Sequence, residues 1–180
     1  MSAMTTPLDL QPTLLASGIS LKPLSRDDYE GLYTIASDPL LWEQHPDNQR
    51  YIETVFRDHF FKGAVDSGSA LTIREADSGR IIGSSRYYEY DPDDSSIGIG
   101  YTFIARDHWG TSTNAIVKEL MLKHIYQWVD AVLFHIGSEN HRSRKAVEKL
   151  GGILVNEEPC QTRGIEYMEV TYRLSEDDYL

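Results

Sequence analysis

The chain is poor in cysteine, poor in cations and without a long apolar run, and each shortage closes a route. One cysteine, Cys160, among 180 residues permits no internal disulfide and no thiolate zinc framework, so stability must come from packing. No segment approaches the roughly 20 apolar residues of a membrane helix. No basic region followed by an apolar stretch opens the sequence, so neither a signal peptide nor a membrane partner is expected, and the cytoplasm is the default location. The 17 Lys and Arg against 28 Asp and Glu leave a net charge of −11, which repels nucleic-acid phosphates and anionic lipid. A Gly-Lys-Ser/Thr loop is missing, as is G-x-G-x-x-G after a first strand, so P-loop and dinucleotide sites are excluded. The six histidines, His45, His59, His108, His124, His135 and His141, show no i, i+4 pair enclosing a Glu, and no metal site is expected.

What is present describes one ordinary globular domain, at about 100 to 200 residues per domain. Residues 1–17 lack periodicity and read as an N-terminal arm, with the domain occupying 18–180. Ile19, Leu21 and Leu24 mark a strand, and Ser25 with Asp28 a helix start that Asp38-Pro39 stops. Tyr51, Ile52, Val55, Phe56 and Phe60 repeat at helical spacing. Leu71–Glu75 and Ile81–Tyr88 flank Asp77-Ser78-Gly79-Arg80 as a hairpin, and Ile97, Ile99, Tyr101 and Phe103 alternate with Gly98, Gly100 and Thr102 in a third strand. Those glycines imply that something approaches the strand closely. A helix from Asn114 to Trp128, a buried strand from Ala131 to Ile136, a helix from Asn140 to Leu150 and strands at Ile153–Val155 and Tyr167–Leu174 complete the chain. The order β-α-α-β-β-β-α-β-α-β-β predicts an α+β mixed sheet with helices on its faces.

The most informative segment is Ile97–Ile104, then Arg106-Asp107-His108-Trp109-Gly110-Thr111-Ser112-Thr113-Asn114, then the helix, where Gly110 and Asn114 either serve only a turn and a cap or open a binding site. A strand leading through a glycine-containing loop into a helix gathers unpaired N–H groups and the positive end of a dipole at one point, where a pyrophosphate fits. The same stretch is locally less acidic, with seven basic residues against five acidic between Ile104 and Leu150.

The whole arrangement resembles the GNAT superfamily of acyl-CoA-dependent N-acetyltransferases, and within it the ribosomal-protein N-terminal (Rim-type) branch. The resemblance rests on Ile19–Asp28, Ser37-Asp38-Pro39, Ile99-Gly100-Tyr101, Trp109-Gly110, Asn140-His141-Arg142-Ser143 and Glu148-Lys149-Leu150-Gly151, in that order, across Ile19 to Leu174. It implies a mostly antiparallel sheet of about seven strands flanked by four helices, with a central strand pair that splays to admit acetyl-CoA. Backbone groups of Phe103 and Ile104 would meet the pantetheine, and N–H groups from Trp109 through Ala115 would hold the pyrophosphate. The family's loop carries small residues where this chain has Ser112 and Asn114, whose Cβ atoms narrow the approach while their N–H groups remain. Lys118, Lys123, Arg142 and Arg144 are further candidates for phosphate contact.

Acetyl transfer needs a neutral amine, a seat for the oxyanion and a proton for the leaving thiolate. Where many members place a tyrosine acid, this chain has Val147. The resemblance therefore points to Ser143 as the acid, with Asn140 orienting the pantetheine or Ser143 itself; N-x-x-S is equally a helix cap. For the base, Glu89, His135 and a water chain stand as alternatives. Tyr87, Tyr88, Tyr90 and Tyr101 either wall an acceptor pocket or pack the sheet. The acceptor is expected to be a primary amine, of a small molecule or a protein N-terminus, with a homodimer left open. The acidic remainder of the surface favours a cationic acceptor. A non-catalytic acyl-CoA-binding module is the competing reading.

Overall fold

The computed structural model describes residues 6–179. Strands β1 (Leu14–Ala16), β2 (Ile19–Pro23), β3 (Ala70–Glu75), β4 (Ile81–Asp91), β5 (Ser96–Ile104), β6 (Ala131–Gly137), β7 (Ile153–Thr162) and β8 (Ile165–Ser175) form one sheet in the order β1-β2-β3-β4-β5-β6-β8-β7. Every neighbouring pair is antiparallel except β5 and β6. The helices are α1 (Tyr29–Ala36), α2 (53–67), α3 (Thr113–Ile125), α4 (His141–Lys149) and a final turn, α5 (Glu176–Tyr179). The α+β mixed sheet is as expected, but the described residues hold eight strands rather than about seven and five helices rather than four. Both additions are short end pieces that carry no periodicity of their own. β1 is three residues of the arm, paired with β2, and α5 is a single turn whose start is capped by Ser175 Oγ, which accepts from the Asp178 amide at 3.3 Å and donates to Asp178 Oδ2 at 2.6 Å.

The arm is tied down by backbone groups: Trp128 Nε1 donates to the Thr6 carbonyl at 2.8 Å, and Gln11 Nε2 to the Ala70 carbonyl at 3.0 Å. Leu8, Leu10 and Leu14 pack on the core. Residues 1–5 of the arm lie outside the described residues.

Two apolar layers sandwich the sheet. On one face Ile97, Ile99, Val117, Met121, Leu122, Val132 and Phe134 interleave between the sheet and α3. On the other, Leu32, Trp42, Phe56, Phe60, Phe61 and Phe103 pack between the sheet and α1 with α2. The middle of α2, Arg57–Phe61, is a π-helical segment. Phe60 and Phe61, adjacent on it, both pack in this layer. The start of α1 follows its sequence signal: the Asp28 carboxylate accepts from the Ser25 amide at 2.8 Å and from Arg74 Nη2 at 2.6 Å. The last two strands run further than their apolar spans, meeting at a two-residue reversal of Arg163 and Gly164, both at positive φ. Among the described residues no helix is long and apolar enough to cross a membrane.

Candidate active site

Between β5 and β6 the parallel register covers only Ser96, Ile97 and Gly98, opposite Ala131, Val132 and Leu133. Beyond that point each strand continues without the other, and a cleft of about 700 Å³ opens between them. A bulge in β5 helps turn the strand away: the register with β4 jumps between Ser84 opposite Phe103 and Arg86 opposite Gly100, and Tyr101 takes φ +52°.

One end of the cleft is the loop from β5 to α3. Gly110 sits at φ +72°, a conformation that favours glycine and turns the chain into the helix. Side chains brace the loop from behind: Trp109 Nε1 donates to the Ile104 carbonyl at 2.9 Å, Thr111 Oγ1 to the His108 carbonyl at 2.6 Å, and the His108 ring spans Thr113 Oγ1 and Glu75 Oε1. The Trp109 amide is used by the Arg106 carbonyl and the Thr113 amide by Thr111 Oγ1. Among the described residues the amides of Gly110, Thr111, Ser112, Asn114 and Ala115 have no protein partner. Of the candidate cofactor residues, Phe103, Ile104, Trp109, Gly110, Thr111, Asn114 and Asn140 line the cleft, whereas Ser112, Thr113 and Ala115 do not.

The four candidate cations separate cleanly. Arg142 lies over the Trp109 ring, 3.7 Å from its centre, at the cleft wall. Arg144 is held by Tyr172 Oη and the Ser138 carbonyl, and Lys123 by Glu119, both away from the cleft. Lys118 is buried at the cleft wall with Nζ donating to Thr102 Oγ1 at 2.8 Å, and burial lowers its pKa to about 7.

Asn140 begins α4, its Oδ1 accepting from the Ser143 amide at 3.3 Å. The cap and the cleft position coexist, because the Ser143 side chain lines the cleft beside Ala146 and Val147 while its amide serves the cap.

The opposite wall answers the question posed by the β5 glycines. A Cβ on Gly98 would meet the Tyr88 ring at 2.5 Å, and one on Gly100 would meet it at 2.9 Å. The ring lies across the strand, and Tyr88 Oη reaches His135 Nδ1 at 2.6 Å, bridging the parted strands. Burial raises the Tyr88 pKa, keeping the phenol protonated at neutral pH. Of the four tyrosines, Tyr88 and Tyr101 line the cleft; Tyr87 faces the core with Oη donating to the Met121 carbonyl at 2.7 Å.

Sequence reasoning missed the residues that long-range folding delivers here. Gln44, His45 and Arg50 come from the α1–α2 connection, and Glu158, Tyr167 and Glu169 from β7 and β8. With Glu89, the last two strands set three carboxylates on the cleft wall. Glu158, Cys160 and Glu169 bring their ligand-type atoms within 4.8 Å of one another. Burial and both carboxylates push the Cys160 thiol up, away from the thiolate a metal would require. No motif spacing signals any of these groups.

The profile of the acetyltransferase (GNAT) domain matches residues 19–153. A GCN5-related N-acetyltransferase from Brucella melitensis has a similar structure at TM-score 0.81 and 14% identity, over 94% of this chain and 80% of that one. A spermidine N-acetyltransferase from Vibrio cholerae in complex with CoA and spermine gives TM-score 0.71 at 14% identity, over 91% and 99%. RimJ from Mycobacterium smegmatis in complex with CoA-disulfide gives 0.67 at 15%, over 88% and 82%. No curated protein sequence matches. The profile spans well over half of the chain, and its span contains the parted strands and the glycine turn: the chain belongs to the acetyltransferase (GNAT) domain family.

Proposed function

We propose that this protein is an N-acetyltransferase that moves an acetyl group from acetyl-CoA to a primary amine by direct attack within a ternary complex. The observation that carries the reading is the unpaired stretch of β5 and β6 beside the free amides of Gly110, Thr111 and Asn114. An acyl-CoA fits this donor set: convergent N–H groups at a helix start receive a diphosphate, Arg142 adds a cation next to them, and the cleft between the strands is long enough in lining residues to reach Ser143 and His135. Acetyl-CoA supplies the activated thioester carbonyl.

The chain's own groups divide the remaining work. Ser143 is the proton donor to the departing sulfur, held at the start of α4 by the Asn140 cap. Phe103 and Ile104 form the wall along the pantetheine. His135, fixed by Tyr88, is the proton acceptor of the amine wall, with Glu89, Glu158 and Glu169 supplying negative charge where a protonated amine enters. An α-amine with a pKa near 8 is already partly neutral at pH 7, so a weak acceptor suffices. The acceptor is a small molecule or a protein N-terminus.

The test is thiol release from acetyl-CoA across a panel of amines and peptides. Ser143→Ala is expected to lower kcat roughly 100-fold, while CoA at 100 times its Kd still stabilises the protein by about 2.7 kcal/mol. An unchanged kcat removes Ser143 from its role. Stabilisation by CoA with no thiol release from any amine establishes a binding module instead, and no stabilisation at millimolar CoA removes both readings.

A further inference from the structure

The acceptor wall contains a cation that the reaction above does not use. Arg50 lines the cleft with its side chain 12% exposed, its guanidinium 5.6 Å from the Trp42 ring centre and 5.2 Å from that of Phe60. Among the described residues it makes no hydrogen bond. Its nearest carboxylate, Asp47 Oδ2, is 3.8 Å from Nε and already accepts from Arg163 Nε at 2.9 Å. A second buried guanidinium, Arg86, lies 5.7 Å from the centre of the same Phe60 ring, with Nε unpartnered and no carboxylate in reach. Arg50 and Arg163 thus share one carboxylate, and Arg86 has none.

A guanidinium has five donors in a planar fork that matches a carboxylate. The 3.8 Å contact with Asp47 leaves the fork's N–H groups without a hydrogen bond, and an anion in the cleft supplies them with charge-assisted partners. The Trp42 and Phe60 rings lie beside the guanidinium without using its N–H groups. Burial lowers the Arg50 pKa to about 10, so the group stays a cation at neutral pH.

We propose that Arg50 receives a carboxylate of the acceptor, so that the substrate is an amine that also carries a carboxylate group, of the amino-acid or acidic-peptide class, rather than a purely cationic polyamine. This rests on the acetyltransferase reading and names its substrate class. The wall then has two poles. Glu89, Glu158 and Glu169 face the ammonium end, and Arg50 takes the anionic end.

The experiment compares glycine, β-alanine, γ-aminobutyrate and ε-aminocaproate, each with its own carboxamide, as ligands of the CoA-saturated protein by calorimetry and as acceptors by thiol release. At the best-fitting chain length the acid is expected to exceed the carboxamide by roughly 10- to 100-fold, the worth of a charge-assisted bond. Arg50→Gln is expected to erase that gap. Arg50→Lys, which retains the charge and loses the fork, is expected to restore part of it and guards against a folding defect in the first variant. Equal binding of acid and carboxamide by the wild type, or a gap that survives Arg50→Gln, overturns the proposal. Turnover of spermidine with no preference for acids overturns this inference alone; failure of every amine to release thiol, with no stabilisation by CoA, instead overturns the acetyltransferase reading.

Discussion

The two ends of the cleft are built from different materials. The end at Gly110, Thr111 and Asn114 offers main-chain N–H groups, which any residue except proline carries. The other end offers side chains, Tyr88, His135, Arg50, Glu158 and Glu169, each drawn from a separate element. A backbone seat tolerates substitution, so Ser112 and Asn114 can stand where the superfamily has smaller residues without deleting a donor. A side-chain wall tolerates little, because its geometry is held by contacts such as the Tyr88 ring against Gly98. Binding of the acyl carrier is thus the general property of the fold, and acceptor choice is the property of this chain.

The sharpest way to break that contrast is to disturb the wall and leave the seat alone. In Gly98→Ala the new methyl group has the Tyr88 ring 2.5 Å away. Such overpacking costs about 1–3 kcal/mol. Turnover is expected to fall at least tenfold as the ring leaves His135, with CoA-induced stabilisation preserved; loss of both together would show that the two ends are not separable.

Lys118 lies between the ends, and its removal tests the wall from the inside. Its pKa is about 7 in the folded protein against 10.5 for the free side chain. The unfolded chain therefore binds more protons between these values, and the sign of the linkage makes stability rise with pH from about 7 to about 10.5. Below pH 7 both states carry the charge and its full burial penalty remains. Lys118→Met is expected to stabilise the protein at pH 7 by on the order of 1 kcal/mol and to flatten that rise. Urea melts at three pH values measure both; a wild-type curve that falls over this window sinks the assignment.

The smallest effect is expected at the seat itself. Ser112→Gly restores the family's small residue, but Ser112 does not line the cleft. CoA affinity by calorimetry should stay within about threefold, less than 1 kcal/mol. A tenfold gain would mean that the serine side chain does restrict the approach.

Legibility in the sequence follows the same division. The glycine turn and the helix start were readable because a positive φ and a cap are local demands, met by residues next to one another. The glycines of β5 announced a close approach but not its identity, because the Tyr88 ring arrives from a neighbouring strand. His135 is ambiguous within an apolar run, and only its bond to a residue 47 positions away decides its place. Ser143 reads as a cap or as a site residue, and the structure uses its amide for one and sets its side chain beside the other. Arg50 carried no signal at all, lying in an irregular connection with neither period nor motif.

By itself the sequence determined the order of the elements, the faces they bury and the loop that gathers free amides, because hydrophobic period, capping and φ preference act over a few residues. The tertiary structure alone decided where β5 and β6 part, which ring crosses β5, and that Arg163 meets Asp47 from 116 positions away, leaving Arg50 only a 3.8 Å contact to that carboxylate. Those are meetings between distant segments, and the free energy that selects them resides in the packed whole rather than in any stretch of chain.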